Sequence, residues 1–178
     1  AEYALYLRAA YRAAKAADST ATVLFGGVAY DRFYNKPGYT PAGPFDYHFV
    51  SDVLDYLYDH HRGERGWPFF DWMAVHVYND YRNAWDGTQP YDQELIGKVG
   101  HLREDALYSA GLYDLRARPL AVTEAGIASM PANDGYTERS ETLQSAYPGQ
   151  LLVRAMAVGA RVATWFSVED HRTGDCTD

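Results

Sequence analysis

The sequence predicts an α/β fold in which a parallel sheet is covered by helices. Three observations lead there. Segments of helical periodicity alternate strictly with short apolar runs. Those runs, among them "ATVLF", "WMAVHVY" and "RPLAV", are almost continuously apolar, which is the pattern of strands buried on both faces. Unusual polar residues then stand where the runs end: His76 and Tyr78, Glu124, and Glu169 with Asp170.

Each element has its own signal. Tyr3, Leu7, Ala10, Tyr11 and Ala14 recur at helical spacing over residues 3–17, and Asp18-Ser19 ends that helix. "ATVLFGG" follows as a short buried strand, with Gly26-Gly27 as its stop. The stretch from Tyr30 to Pro44 is rich in Tyr, Gly and Pro and predicts a long loop. From Phe45 to His61 a second helix is marked by Phe49, Val50, Val53, Leu54 and Leu57, and "HRGERGWP" turns the chain into a strand over Phe70–Tyr78. A polar loop with Asn79, Asp80, Asn83 and Gly87 leads to a helix over 91–110. Leu95, Ile96, Val99, Leu102, Ala106 and Leu107 lie on one side of it, and Gly111 is its C-cap. A strand over 119–123 carries Glu124 at its end. The helix predicted over 141–158 contains Pro148, which either kinks it or opens its second half. Gly159 ends that helix, and "RVATWFSVED" is the last strand.

Two architectures accommodate this order, a doubly wound open sheet and a (β/α)₈ barrel. The first usually carries a glycine-rich phosphate loop between strand and helix, and "FGGVAYDRF" has neither of the usual glycine spacings. Barrels place functional groups at the strand ends, where this chain has its polar residues. A whole barrel needs about 250 residues, however. The 178 residues here predict four strands, half of that number.

Composition narrows the function. A net charge of −8 with no Lys/Arg stripe argues against a nucleic-acid partner. No apolar run reaches the length of a membrane span, and the first residues, already helical, lack a signal-peptide pattern. A single cysteine, Cys176, allows neither an internal disulfide nor a cysteine-based metal site. Sixteen tyrosines and four tryptophans supply side chains with an apolar face and a polar tip, suited to cores and to sugar-binding clefts alike.

Side chains two apart share a face of a strand. Simple alternation therefore groups Trp72, Ala74, His76 and Tyr78, then Leu120, Val122 and Glu124, then Ala163, Trp165 and Ser167. If those faces converge, a carboxylate stands beside a tyrosine hydroxyl, an imidazole and an indole platform. Such a group suits the stabilisation of, or attack on, a positively charged sugar carbon.

The segments in this order resemble the second half of a clan A glycoside hydrolase, a retaining enzyme built on the (β/α)₈, or TIM, barrel. "EYALYLRAAYRAAKAAD" resembles the helix after strand four, and "WMAVHVY" resembles strand six with its His-x-Tyr ending. "RPLAVTEAG" resembles strand seven with its Thr-Glu-x-Gly nucleophile, and "ARVATWFSVED" resembles strand eight with its sugar-stacking Trp. The resemblance spans essentially the whole chain and implies strands five to eight of a barrel whose first half lies outside it. It further implies Glu124 as catalytic nucleophile, Tyr78 as the hydroxyl that orients it, His76 as support for the pair or a sugar contact, and Trp165 as the floor under the reacting ring. The substrate implied is an oligosaccharide, polysaccharide or glycoside, and the chemistry uses neither metal nor organic cofactor. The family's acid/base stands in an Asn-Glu pair at the end of strand four. No such pair occurs in this sequence, so the acid is expected in an upstream segment and the chain by itself is expected to be inactive.

Other features have plainer readings. His60-His61 with Asp59 could suggest a metal, but they end an amphipathic helix beside Arg62 and fit a solvated helix terminus. "NDYRNAWDG", with Trp85, is a surface loop or a sugar-contacting one. A non-catalytic carbohydrate-binding or scaffold protein would keep the aromatic cleft and lack the acid. An ester hydrolase of the open α/β type would need Gly-x-Ser-x-Gly, which is absent.

Overall fold

The computed structural model describes residues 1–28, 49–78, 95–103, 118–126 and 141–166, with the side chains of Tyr78, His101 and residues 141–143 outside that description. Helix α1 (Glu2–Ala17) leads to strand β1 (Leu24–Val28), α2 (Phe49–His61), β2 (Trp72–Tyr78), α3 (Leu95–His101), β3 (Leu120–Gly126), α4 (Glu141–Ala157) and β4 (Ala160–Ala163). This is the alternation expected from the sequence. The strands form one sheet in the order β1-β2-β3-β4, and every pair is parallel.

That order has a consequence for where a site can form. Neighbours in the chain are neighbours in the sheet, so the order never reverses and the described sheet has no switch-point crevice of the doubly wound kind. All four described helices contribute to a single core. Leu7 of α1, Leu54 and Leu57 of α2, Val99 of α3 and Leu151 of α4 join Met73, Val75, Val77, Leu120, Val122 and Ala125 of the strands. The helices therefore cover one face of the sheet, as right-handed crossovers onto sequential parallel strands require. Burial of each Val or Leu there contributes roughly 1.5–3 kcal/mol.

Local chemistry sets the ends. Helix α1 has Glu2 in its first turn and Lys15 in its last, both matched to the helix dipole. It stops at Asp18, whose carboxylate accepts bonds from the Thr20 hydroxyl at 2.6 Å and the Thr20 N–H at 2.8 Å. Those two bonds hold the Asp18 carboxyl below its ordinary range. Helix α4 runs through Pro148 as one helix and ends at Ala157, two residues before Gly159. A φ of +73 lets Gly159 bond back to Met156 O at 3.0 Å, a left-handed cap that a side chain would strain.

The edge of the sheet where strands begin is tied together by charge. Asp71, just before β2, accepts the Val23 N–H at 2.8 Å and pairs with Lys15 at 2.8 Å, while Arg118 donates to Phe70 O at 3.0 Å. Partial burial opposes ionisation of Asp71, but the Lys15 ammonium and the Val23 N–H outweigh it, and its carboxyl titrates below the usual range.

Three expectations change. Strand β1 does not stop at Gly26-Gly27 but runs through them to Val28. Described β4 is shorter than the predicted strand, although ladder bonds continue to Phe166. The alternation also breaks in three of the strands. Phe25 to Val28 of β1 spans only Met73 to Val75 of β2, Thr123 is an extra residue of β3 between Val122 and Glu124, and Arg161 is extra in β4. Each bulge moves the residues after it to the other face. The loops predicted over 30–44 and 79–90, the Gly111 cap, Glu169, Asp170 and Cys176 lie outside the described residues. No helix among the described residues is long and apolar enough to cross a membrane.

Candidate functional site

The bulge at Thr123 builds the site. Simple alternation puts Glu124 on the face of Leu120 and Val122. In the structure Leu120 pairs with Met73 and Val122 with Val75, all on the helix-covered face, and then His76 pairs with Glu124. The extra residue carries Glu124 to the opposite face, where His76 already stands with Ala74. Without it the carboxylate would enter the apolar core, where an unpaired charge is very costly.

His76 and Glu124 are thus cross-strand neighbours toward the C-terminal ends of β2 and β3. Imidazole Nδ1 lies 3.3 Å from Glu124 Oε2, within ion-pair reach when the ring is protonated. The two side chains are 22% and 36% exposed, so the pair is open to solvent. The rung below joins Ala74 to Ala121, which add only methyl groups beneath it. Tyr78 pairs with Gly126 two steps beyond, so its backbone is at the end of β2 next to the pair; its side chain is outside the described residues.

Two further residues hold His76, and both escape the sequence reading. The imidazole rests on Gly27 of β1: a Cβ there would sit 2.0 Å from Nε2. Lys98 of α3, 2% exposed, donates from Nζ to the carbonyl of His76. Beside a bulge the strand ladder is disrupted, and a side-chain donor is one way to satisfy a carbonyl there. The signal for Lys98 was its place on the apolar stripe of α3, three residues after Leu95 and next to Val99.

Trp165 has a different location from the one expected. Thr164 N donates to Val122 O and Phe166 N to Ala125 O, both at 2.9 Å, which steps Ala163 opposite Val122 and Trp165 opposite Ala125. Ala125 is a fully buried core residue on the helix side. The indole accordingly packs on the core, with its ring centroid 5.6 Å from that of Tyr147 of α4. A sugar floor made by Trp165 is therefore set aside: the bulge at Thr123 that exposes Glu124 leaves Trp165 on the other face.

The histidines at the end of α2 are engaged in the protein. His60 stacks on Tyr56 with centroids 4.3 Å apart, and His61 Nδ1 meets Glu64 Oε1 at 2.8 Å. Among the described residues no three His, Cys, Asp or Glu side chains converge as metal ligands. No protein-family model matches the chain, and no curated protein or solved structure matches it either.

Proposed function

We propose that the chain forms the C-terminal half of the catalytic (β/α)₈ barrel of a retaining glycoside hydrolase, with Glu124 as nucleophile. The observation that carries this reading is the His76–Glu124 pair, 3.3 Å apart on adjacent parallel strands and on the face away from the helices. In a barrel that face is the interior, and the strand C-termini bear the active site. The sequential strand order with helices on one side supports the same architecture.

In this mechanism Glu124 attacks the anomeric carbon as the bond to the leaving oxygen breaks. That oxygen takes a proton from an acid/base carboxyl supplied by a segment upstream of residue 1. Water then attacks the glycosyl–Glu124 ester, gives its proton to the same carboxyl and releases the sugar. His76 holds the nucleophile, and Tyr78 is proposed to donate to it from the end of β2. The substrate is an oligosaccharide, polysaccharide or glycoside.

Azide rescue tests the assignment. The full-length polypeptide should hydrolyse at least one of a panel of 4-nitrophenyl glycosides, and Glu124→Ala should not. Adding sodium azide to Glu124→Ala should restore release of nitrophenol and yield a glycosyl azide of the opposite anomeric configuration. Undiminished hydrolysis by Glu124→Ala would overturn the assignment. Sugar binding without turnover by the wild type would replace it with a carbohydrate-binding function.

A further inference from the structure

The two glycines of β1 serve two different side chains. On the helix side, the Gly26 N–H donates to the Tyr3 hydroxyl at 2.9 Å. Gly27 lies under His76. A Cβ at Gly27 would stand 2.0 Å from Nε2, 2.4 Å from Cδ2 and 2.8 Å from Cε1. Three ring atoms fall inside the closest approach two carbons or a carbon and a nitrogen tolerate, so no side chain fits while the imidazole is there.

Backbone conformation does not account for this glycine. Among the described glycines only Gly66 and Gly159 have positive φ, so Gly27 has a backbone that other residues can adopt. The requirement is steric, and the obstructed atoms are the far edge of a side chain with two rotatable bonds. A methyl group at position 27 displaces the imidazole rather than the strand. Since Nδ1 and Nε2 belong to one rigid ring, moving Nε2 off Gly27 also moves Nδ1 from Glu124. Lys98 fixes the His76 carbonyl, so the backbone cannot follow to restore the contact.

We infer that Gly27 is a positioning residue for the His76–Glu124 pair: its bare Cα is the seat that keeps the imidazole facing the carboxylate. The catalytic consequence rests on the reading of Glu124 as nucleophile; the geometric one does not. The effect is preorganisation, and misplacement of a catalytic group by about 1 Å can cost on the order of a hundredfold in rate.

The test is a cycle of Gly27→Ala, His76→Ala and the double variant in the full-length polypeptide. The first readout is kcat/KM on the 4-nitrophenyl glycoside the wild type turns over fastest. A second is the imidazole ¹⁵N shifts of His76 with and without Glu124→Gln. Gly27→Ala should lower kcat/KM on the order of a hundredfold. In the His76→Ala background the same change should matter by less than about threefold, because its only route of action is gone. The His76 shifts should respond to Glu124→Gln in the wild type and not in Gly27→Ala. A Gly27→Ala chain that folds only when His76 is also alanine would support the seat through stability. Equal losses in both backgrounds, or full activity with intact shift coupling, would overturn it. A wild type that turns over no glycoside counts against the hydrolase reading, and the shift measurement then decides on Gly27 alone.

Discussion

His61–Glu64 and His76–Glu124 are the same two residue types in contact, built in opposite ways. The first pair is local, three residues apart from the last residue of α2 to the turn that follows, on the side of the sheet where strands begin. Arg8 reaches Glu64 Oε2 at 2.7 Å and Arg12 reaches it at 3.5 Å, so cations from α1 close the carboxylate in. The Arg8 and His61 hydrogen bonds pull the Glu64 carboxyl down to about 2. The second pair joins residues 48 positions apart, and only the sheet register brings them together. It stands toward the strand C-termini over two alanines, its imidazole seated on a glycine. A carboxylate ringed by guanidinium groups stays ionised well below the usual carboxylate range and anchors α1 to the turn. The Glu124 carboxylate stands beside an imidazole at a strand end, 36% exposed.

The largest effect should separate the two pairs by activity. Glu124→Gln should lower kcat/KM by about 10⁴-fold, the scale of losing a catalytic group, with little change in the urea midpoint. Glu64→Gln should leave kcat/KM on the same nitrophenyl glycoside within about threefold, since surface changes away from a site shift free energies by about 0.5 kcal/mol. Equal losses from both would erase the distinction.

Next in size is a change that spares neither pair. Phe25 is fully buried in β1, with ring contacts to Tyr3, Phe49 and Phe70. Phe25→Ala should cost about 3–5 kcal/mol in urea denaturation, as large-to-small core changes do. A loss below about 1 kcal/mol would mean that β1 is not part of this core.

The smallest effect is the acid dependence of the first pair. Folding lowers the Glu64 carboxyl from 4.5 to about 2, so the folded state favours its ionised form. That contribution is complete above pH 4.5 and fades as pH falls toward 2. Urea midpoints measured through that window should fall less steeply for Glu64→Gln than for the wild type. Identical profiles would show that Arg8 and His61 do not hold this carboxylate in solution.

The order of elements was legible because each has a local cause: period and capping for the helices, continuous apolar runs for the strands. Glu124 and His76 were legible as polar residues at strand ends. The face of Glu124 was not, because strict alternation cannot see Thr123. One inserted residue reverses everything after it, and its own cause lies in the neighbouring strand. The same slip hid Trp165, which alternation placed with the carboxylate and the ladder places against Tyr147. Gly27 suggested a strand stop, since a glycine's other use, making room for a ring on the next strand, depends on register. Lys98 was hidden within an amphipathic helix, where a lone cation on the apolar stripe signals a buried partner only once that partner is known.

Covalent trapping at Glu124 is the most direct test of its role as nucleophile. The full-length polypeptide would be incubated with a panel of 2-deoxy-2-fluoroglycosyl fluorides, and its intact mass and peptide map recorded. Double displacement through Glu124 predicts the addition of one fluoroglycosyl unit, carried by the peptide containing Glu124 and absent from Glu124→Gln. A label on another residue, or hydrolysis of glycosides with inverted configuration and no label, would contradict it.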